Sequence, residues 1–454
     1  MVRYFQGTCR GSADLHIHSC SPESRSPCLL ESSLVRLAWL LESTLVAAEI
    51  VSFDSPPGVH SIFAMRARSL TAVGSTAGAL AKEIASQVRA LRPDALLWLT
   101  DSAKPEEVAS ALSDTCGASV GGVSMQGLLG GGGEHGSSSE SSRVVALALS
   151  ASEGSGATAF HSPPDGLPNL PAATWAAYAA ATPDASPHLM LLASPPRTGA
   201  FELERWLDRL DRSLPWAKKV GGMTAGDGRL FVNDVQHDGG AVGLALEGVA
   251  MEAASMQGAL PIGPSFAITE SEGNFIRALD GKEVGEALEP VLDAFRKAPT
   301  GNLMAGVSVP TRAPAAGAAA AAPPLSSSPY VVRALMGYNK DHSFLAIGAS
   351  PDLLEAAGAR LQLHAFSEEN ARQELRASAA ALAERGPLSG GLMVPCLGRG
   401  AGLYGEHDVE INELTRALGP LALTGFLAGG EIGPVGSRTF VHTYTTTIGL
   451  LRES

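Results

Sequence analysis

Three side chains near the end of the chain stand among glycines and carry chemical options. They are Cys396 and Arg399 in Cys396-Leu397-Gly398-Arg399-Gly400, and Glu431 in Gly430-Glu431-Ile432-Gly433. Glycine lets a backbone pass close to a ligand or to a second backbone, so a polar residue between glycines is a candidate for the lining of a cleft. Arg399 offers a planar fork of N–H donors suited to a carboxylate, and Glu431 offers a carboxylate suited to an ammonium group; an amino acid carries both. His442, with the hydroxyls of Ser124 and Thr224, would add an imidazole and two O–H groups. Cys396 beside Arg399 would also be a nucleophile if the cation lowered its pKa, with His407 and His442 in the same stretch. Plainer readings stand beside these: a buried cysteine at a strand end, an Arg399–Glu431 pair serving structure alone, and turns carrying solvated charges.

Other chemistries find less support. No Walker A or dinucleotide fingerprint is present, and the Gly130–Gly133 run leads into serine-rich loop instead of a helix. Asp14-Leu15-His16-Ile17-His18 resembles the opening metal motif of the PHP phosphoesterases, in which His16 and His18 would face a metal. That fold needs further His and Asp from later strands, whereas the later chain follows a different pattern; an exposed polar segment is the alternative. No cofactor is expected.

The elements that must hold these residues repeat. Leu80, Ile84, Val88 and Leu91 recur at helical spacing before Pro93, Leu96–Leu99 reads as a buried strand, and Pro105-Glu106-Glu107 opens a second helix. Val120-Gly121-Gly122-Val123 follows, then a Gly/Ser loop from 130 to 142 and the strand Val144–Leu149. The order recurs with a helix around Trp175 and Tyr178, Leu189–Leu192, a helix through Leu203 to Leu214, Val220-Gly221-Gly222-Met223, and Ala241–Leu246. It recurs again with a helix through Leu375 and Leu382, Leu392–Val394, a helix from Asp408, Thr424-Gly425-Phe426, and a strand from Tyr444 to Leu450. Three such units predict an α/β protein of helix–strand–helix–strand repeats whose mixed sheets are covered by helices. If the glycine segments converge, Gly121, Gly122, Gly221, Gly222, Gly398, Gly400 and Gly425 line a pocket; duplication without a shared site is the alternative. Between the second and third units, residues 266–277 read as a β-hairpin, and the Ala/Pro/Gly/Ser run 311–329 as a disordered insertion.

Composition limits the partners. A formal charge of −13 argues against duplex nucleic acid, whose affinity rests on Lys and Arg. Five cysteines without CxxC spacing favour a reducing compartment, the cytoplasm first. The Ser- and Arg-rich start leaves organellar targeting as the alternative. No run reaches the roughly 18 apolar residues that span a bilayer, and none is expected to.

The motifs Cys396-Leu397-Gly398-Arg399-Gly400, Gly425-Phe426, Gly430-Glu431-Ile432-Gly433-Pro434 and His442-Thr443-Tyr444-Thr445 resemble the C-terminal half of the FIST domain. Gly121-Gly122, Gly221-Gly222-Met223-Thr224 and Gly240-Ala241-Val242-Gly243 resemble its N-terminal half. The resemblance implies two halves, 69–250 and 251–454, behind an N-terminal extension over 1–68. It also implies a sensory module without an assigned active site, binding a small molecule such as an amino acid. In eukaryotes the domain occurs in F-box proteins, which makes a ubiquitin-ligase adaptor the alternative function. Leu29–Ile50 has the place of an F-box helix without its pattern. A thiol- or metal-dependent enzyme is the third reading.

Overall fold

The computed structural model describes residues 65–136, 141–182, 184–195, 200–224, 227–309 and 329–453. The N-terminal expectations, including His16, His18 and the helix over 29–50, lie outside these residues, as does all but Pro329 of the insertion expected over 311–329.

Each repeat is larger than the sequence suggests. A leading strand opens it and a β-hairpin follows the glycine strand. In the first unit the order is strand Met65–Gly74, helix Ala77–Leu91, central strand Ala95–Thr100, helix Pro105–Ser113, glycine strand Ala118–Val123, hairpin Leu128–Gly130 with Gly133–His135, and closing strand Ser142–Ala151. Part of the expected 130–142 loop is therefore strand. The second unit runs Gly156–Ser162, Ala172–Ala179, His188–Ala193, Ala200–Ser213, Lys219–Met223, Leu230–Val232 with Val235–His237, and Ala241–Glu247. The third begins at Met251–Met256 and resumes with helix Glu368–Ala383, central strand Leu388–Pro395, helix Val409–Leu418, glycine strand Ala422–Phe426, hairpin Glu431–Val435 with Arg438–His442, and closing strand Thr446–Arg452. This last strand starts later than expected because Tyr444 adopts φ 56, a left-handed conformation that ends a strand. Local chemistry marks the helix ends: Thr76 and Ser367 accept the N–H of Ala79 and Asn370, and Glu106 and Glu107 occupy the first turn behind Pro105.

The three units build three six-stranded sheets of one order: leading, closing, central and glycine strand, then a hairpin. Central and glycine strands are parallel, and the closing strand is antiparallel to the central one. The hairpin in each sheet comes from another unit. The second unit's hairpin pairs with the first unit's glycine strand (Leu230 with Gly122), the third's with the second (Glu431 with Gly222), and the first's with the third (Leu128 with Phe426). The exchange closes into a ring.

Alternation along the strands explains the layers. Leu97 and Leu99, Met190 and Leu192, and Leu392 and Val394 point inward with Val145, Val242 and Leu451 into one core shared by all three sheets. Leu96 and Trp98 point outward onto Ile84, Val88 and Leu112; Leu189 and Leu191 meet Leu207 and Leu210; Met393 meets Leu375 and Leu414. Burial of each such side chain stabilises by about 1.5–3 kcal/mol.

A seven-stranded antiparallel sheet is inserted between the third unit's leading strand and its first helix. It contains the expected hairpin, with Ala259–Glu272 paired to Phe275–Leu279, and helix Val284–Lys297 packs Leu288 and Leu292 into its core. The third unit's hairpin is longer than the other two, and its Val435 and Phe440 reach that same core. No helix among the described residues is long and apolar enough to cross a membrane.

Candidate functional site

The strand register sets equivalent positions in the three units. Gly121, Gly221 and Gly425 each lie beside the corresponding central-strand residue, Trp98, Leu191 and Met393. A Cβ at these glycines would sit 2.0 Å from the Trp98 ring, 1.9 Å from Leu191 O and 1.7 Å from Met393 O. The recurring glycine therefore lets the glycine strand twist tightly against its neighbour. Gly122 and Gly222 face the next unit, where a Cβ would meet Thr224 and Leu192, or Val394 and Ala428. These segments do approach one another, but the space among them is filled by the shared core. Ser124 and Thr224 turn their hydroxyls to Gly127 O and Ala193 O within their own units, apart from Arg399 in the sequence of elements.

In the third unit the central strand ends at Pro395, and four residues on comes Arg399, 1% exposed. Its Nε donates to Glu410 Oε1 (2.5 Å), Nη1 to Met256 O (3.2 Å) and Tyr444 O (2.9 Å), and Nη2 to the Tyr404 hydroxyl (3.1 Å). Tyr404 and Thr446 then donate to the two oxygens of Glu410, each at 2.6 Å. Burial alone would lower the Arg399 pKa, but the Glu410 carboxylate outweighs it and holds the guanidinium above its ordinary range. The expected structural partner, Glu431, is thus replaced by Glu410, and four of the five N–H groups of the fork are engaged inside the protein. Gly400, at φ 58, starts a short helix to Tyr404 where a turn was expected; a Cβ there would lie 2.8 Å from Glu134 Oε1. Gly398 makes room for the Tyr444 ring, 3.0 Å from where its Cβ would be.

Glu431 is fully buried opposite Gly222 and His442. Oε2 accepts the Thr445 N–H (3.1 Å), and Oε1 has no partner among the described residues. Burial drives its pKa well above the ordinary value of 4.5 and so favours the protonated acid. Burial first, then the adjacent Glu431 carboxyl, pushes the Cys396 thiol up to about 12; this thiol is protonated and a poor nucleophile. Its Sγ accepts the Gly398 N–H (3.4 Å) and its own N–H donates to Thr445 O (2.9 Å), so Cys396, Glu431 and Thr445 do meet. His442 bonds Gly433 O through Nε2 (3.1 Å) and leaves Nδ1 unpartnered; burial, then Arg333, lowers it to about 3, so it is neutral.

Comparison across units separates packing from chemistry. His442 has counterparts in His135 and His237, each paired across the base of its hairpin. His135 makes the same bond within its hairpin, to Gly130 O at 2.9 Å. In the first and third hairpins the histidine is a clasp, while His237 stacks on His161; the residue's threefold recurrence was visible in the sequence. Glu431, in contrast, occupies the place of Leu128 and Leu230.

A second site lies at the carboxyl ends of the second unit's parallel strands, the place where α/β sheets commonly take ligands. There a cavity of 480 Å³ is lined by Ser162 to Asp165, Ser194, Pro195, Glu202, Leu203, Trp206, Asp227, Gly228 and Asp238 to Ala241. In the first unit Asp101 stands where Ser194 does and accepts the Arg143 N–H (2.5 Å), as Ser194 bonds Gly240 O (3.3 Å) at the equivalent place. The third unit's counterpart is occupied by the protein: Cys396 holds that position and the segment around Arg399 and Gly400 folds over it, leaving 10 Å³ lined by Pro395, Gly400 and Glu410, about the room of one water. Sequence reasoning missed this cavity; its signals were the turns Pro163-Pro164-Asp165-Gly166 and Asp238-Gly239-Gly240. Among the described residues no group of His, Cys, Asp and Glu is arranged to hold a metal.

The uncharacterized protein Mb0898c of Mycobacterium bovis is 27% identical to this chain over 274 residues, which cover 58% of the chain and 67% of that protein. The uncharacterized protein Rv0628c of Mycobacterium tuberculosis is 28% identical over the same shares. The FIST N domain matches residues 94–282 and the FIST C domain residues 293–434, together covering the first unit from its central strand onward, the second unit, and most of the inserted sheet and of the third unit. The chain belongs to the FIST family.

Proposed function

We propose that this chain is a sensory module of signal transduction that binds a small polar molecule, an amino acid or a close analogue, in the second unit's cavity. The observation that carries this is the 480 Å³ space at an edge whose counterpart in the third unit is filled by the protein's own groups. That volume lies in the range of small-ligand pockets, and a mostly apolar wall with a few polar groups is their usual make-up. The test is titration calorimetry against the amino acids with wild type and Leu203→Trp, which puts an indole into the space. Binding by wild type that is lost in the variant is expected; silence across the set, or binding that the indole leaves intact, refutes it.

A second reading keeps the ligand at the third unit's edge. It is favoured by the unpartnered buried atoms Glu431 Oε1 and His442 Nδ1, since buried polar groups ordinarily have partners. Binding lost in Glu431→Leu but retained in Leu203→Trp would select it.

A further inference from the structure

We propose that, within the amino-acid-like class, the second unit's cavity prefers a ligand of net positive charge, an amine or a basic amino acid with an apolar stem, over a neutral zwitterion or an anion. This rests on the reading that the cavity holds a ligand at all. Its inner wall is apolar, with Leu203 and Trp206 nearly fully buried and Ala241 and three prolines around them. The opening carries four carboxylates from four separate segments: Asp165, Glu202, Asp227 and Asp238.

Two of the four are already compensated. Asp227 is held by Arg229, whose Nε lies 2.6 Å from Oδ2. Glu202 stands in the first turn of helix Ala200–Ser213, where a negative charge meets the helix dipole. Asp165 and Asp238 remain. Asp238 accepts only the neutral Gln236 amide, at 2.8 Å, and neither acid has a cationic partner among the described residues.

The rings of His161 and His237 stack 3.9 Å apart. Burial and then His161 lower the His237 pKa against the pull of Asp238, and His161 Nε2 is bonded to Gly239 O. Two carboxylates without a cationic partner among the described residues, beside an apolar space, attract a cation and repel a ligand carboxylate. The apolar wall takes the carbon chain.

Three probes of one chain length separate charge from shape: 1,5-diaminopentane, 5-aminopentanoate and glutarate, titrated into the full chain at low and at 0.3 M salt. The diamine is expected to bind tightest, to weaken with salt, and to lose about tenfold in affinity in the Asp165→Asn/Asp238→Asn double variant. These acids are exposed, so the variant is expected to fold as wild type does. Equal binding of glutarate or of the zwitterion, or a double variant that binds the diamine as well as wild type, overturns the charge selection and leaves the cavity as a ligand site. No binding by any probe also overturns it, while the amino-acid titration with Leu203→Trp decides the cavity reading separately.

Discussion

Replacing Arg399 with methionine removes the cation while keeping much of the side chain's apolar volume. Arg399 is 1% exposed and Glu410 5%, and the pair is completed by Tyr404, Thr446 and two backbone carbonyls. Loss of the guanidinium leaves Glu410 buried without its counter-charge, and Met256 O and Tyr444 O without that donor. Breaking a buried pair by deleting one partner costs about 3–5 kcal/mol. Against a total of about 5–15 kcal/mol, that is a fifth or more of the stability of an ordinary fold. Arg399→Met/Glu410→Gln removes the stranded charge as well, so the double variant is expected to recover part of the loss, a coupling of about 2 kcal/mol or more. Urea denaturation followed by circular dichroism of wild type, both single variants and the double measures this. If Arg399→Met costs less than about 1 kcal/mol, or if the two losses simply add, Arg399 is not the buried tie described here. A variant that stays fully stable yet loses amino-acid binding would return Arg399 to the role of ligand fork.

Gly425→Ala places a Cβ where Met393 O now lies, 1.7 Å away, with backbone on both sides, so a loss of about 4 kcal/mol or no soluble protein is expected. Gly402→Ala, where a Cβ meets nothing within 4 Å, serves as the matched control in the same expression and melting assay. Glu431→Gln should change the pH dependence of stability. The folded acid keeps a proton that the unfolded chain releases above about pH 4.5, so its burial costs nothing in acid and increasingly more as pH rises toward the folded-state value. The variant should therefore gain on wild type in denaturation midpoints measured from about pH 4 to about pH 8; a constant offset across that range would show that Glu431 is ionised in the fold.

Much of the scaffold was legible because it rests on local patterns. Leu80 to Leu91 and Leu203 to Leu214 declare helices by spacing, and Gly121, Gly221 and Gly425 recur because each abuts a central strand. The hairpin exchange was not legible, since Leu230 and Gly122, or Leu128 and Phe426, meet only in the assembled ring. Glu410 looked like an ordinary acid in the first turn of an exposed helix; it pairs with Arg399 because Gly400–Tyr404 folds back over the strand end. Cys396 and Glu431 stand out in the sequence by their glycine surroundings, whereas His442 repeats a bond that His135 makes in the first hairpin. The cavity escaped because it is assembled from five separate segments with no motif among them.

The ring has a consequence for synthesis. The first hairpin must wait for Phe426, near the end of the chain, before it has a strand to join, and the second unit waits in turn for Glu431 and Ile432. Until the third unit has been made, the first hairpin and the second unit's glycine strand present unpaired rims, open to strand addition by a neighbouring nascent chain. Fragments ending before the third unit should therefore recruit one another or a chaperone.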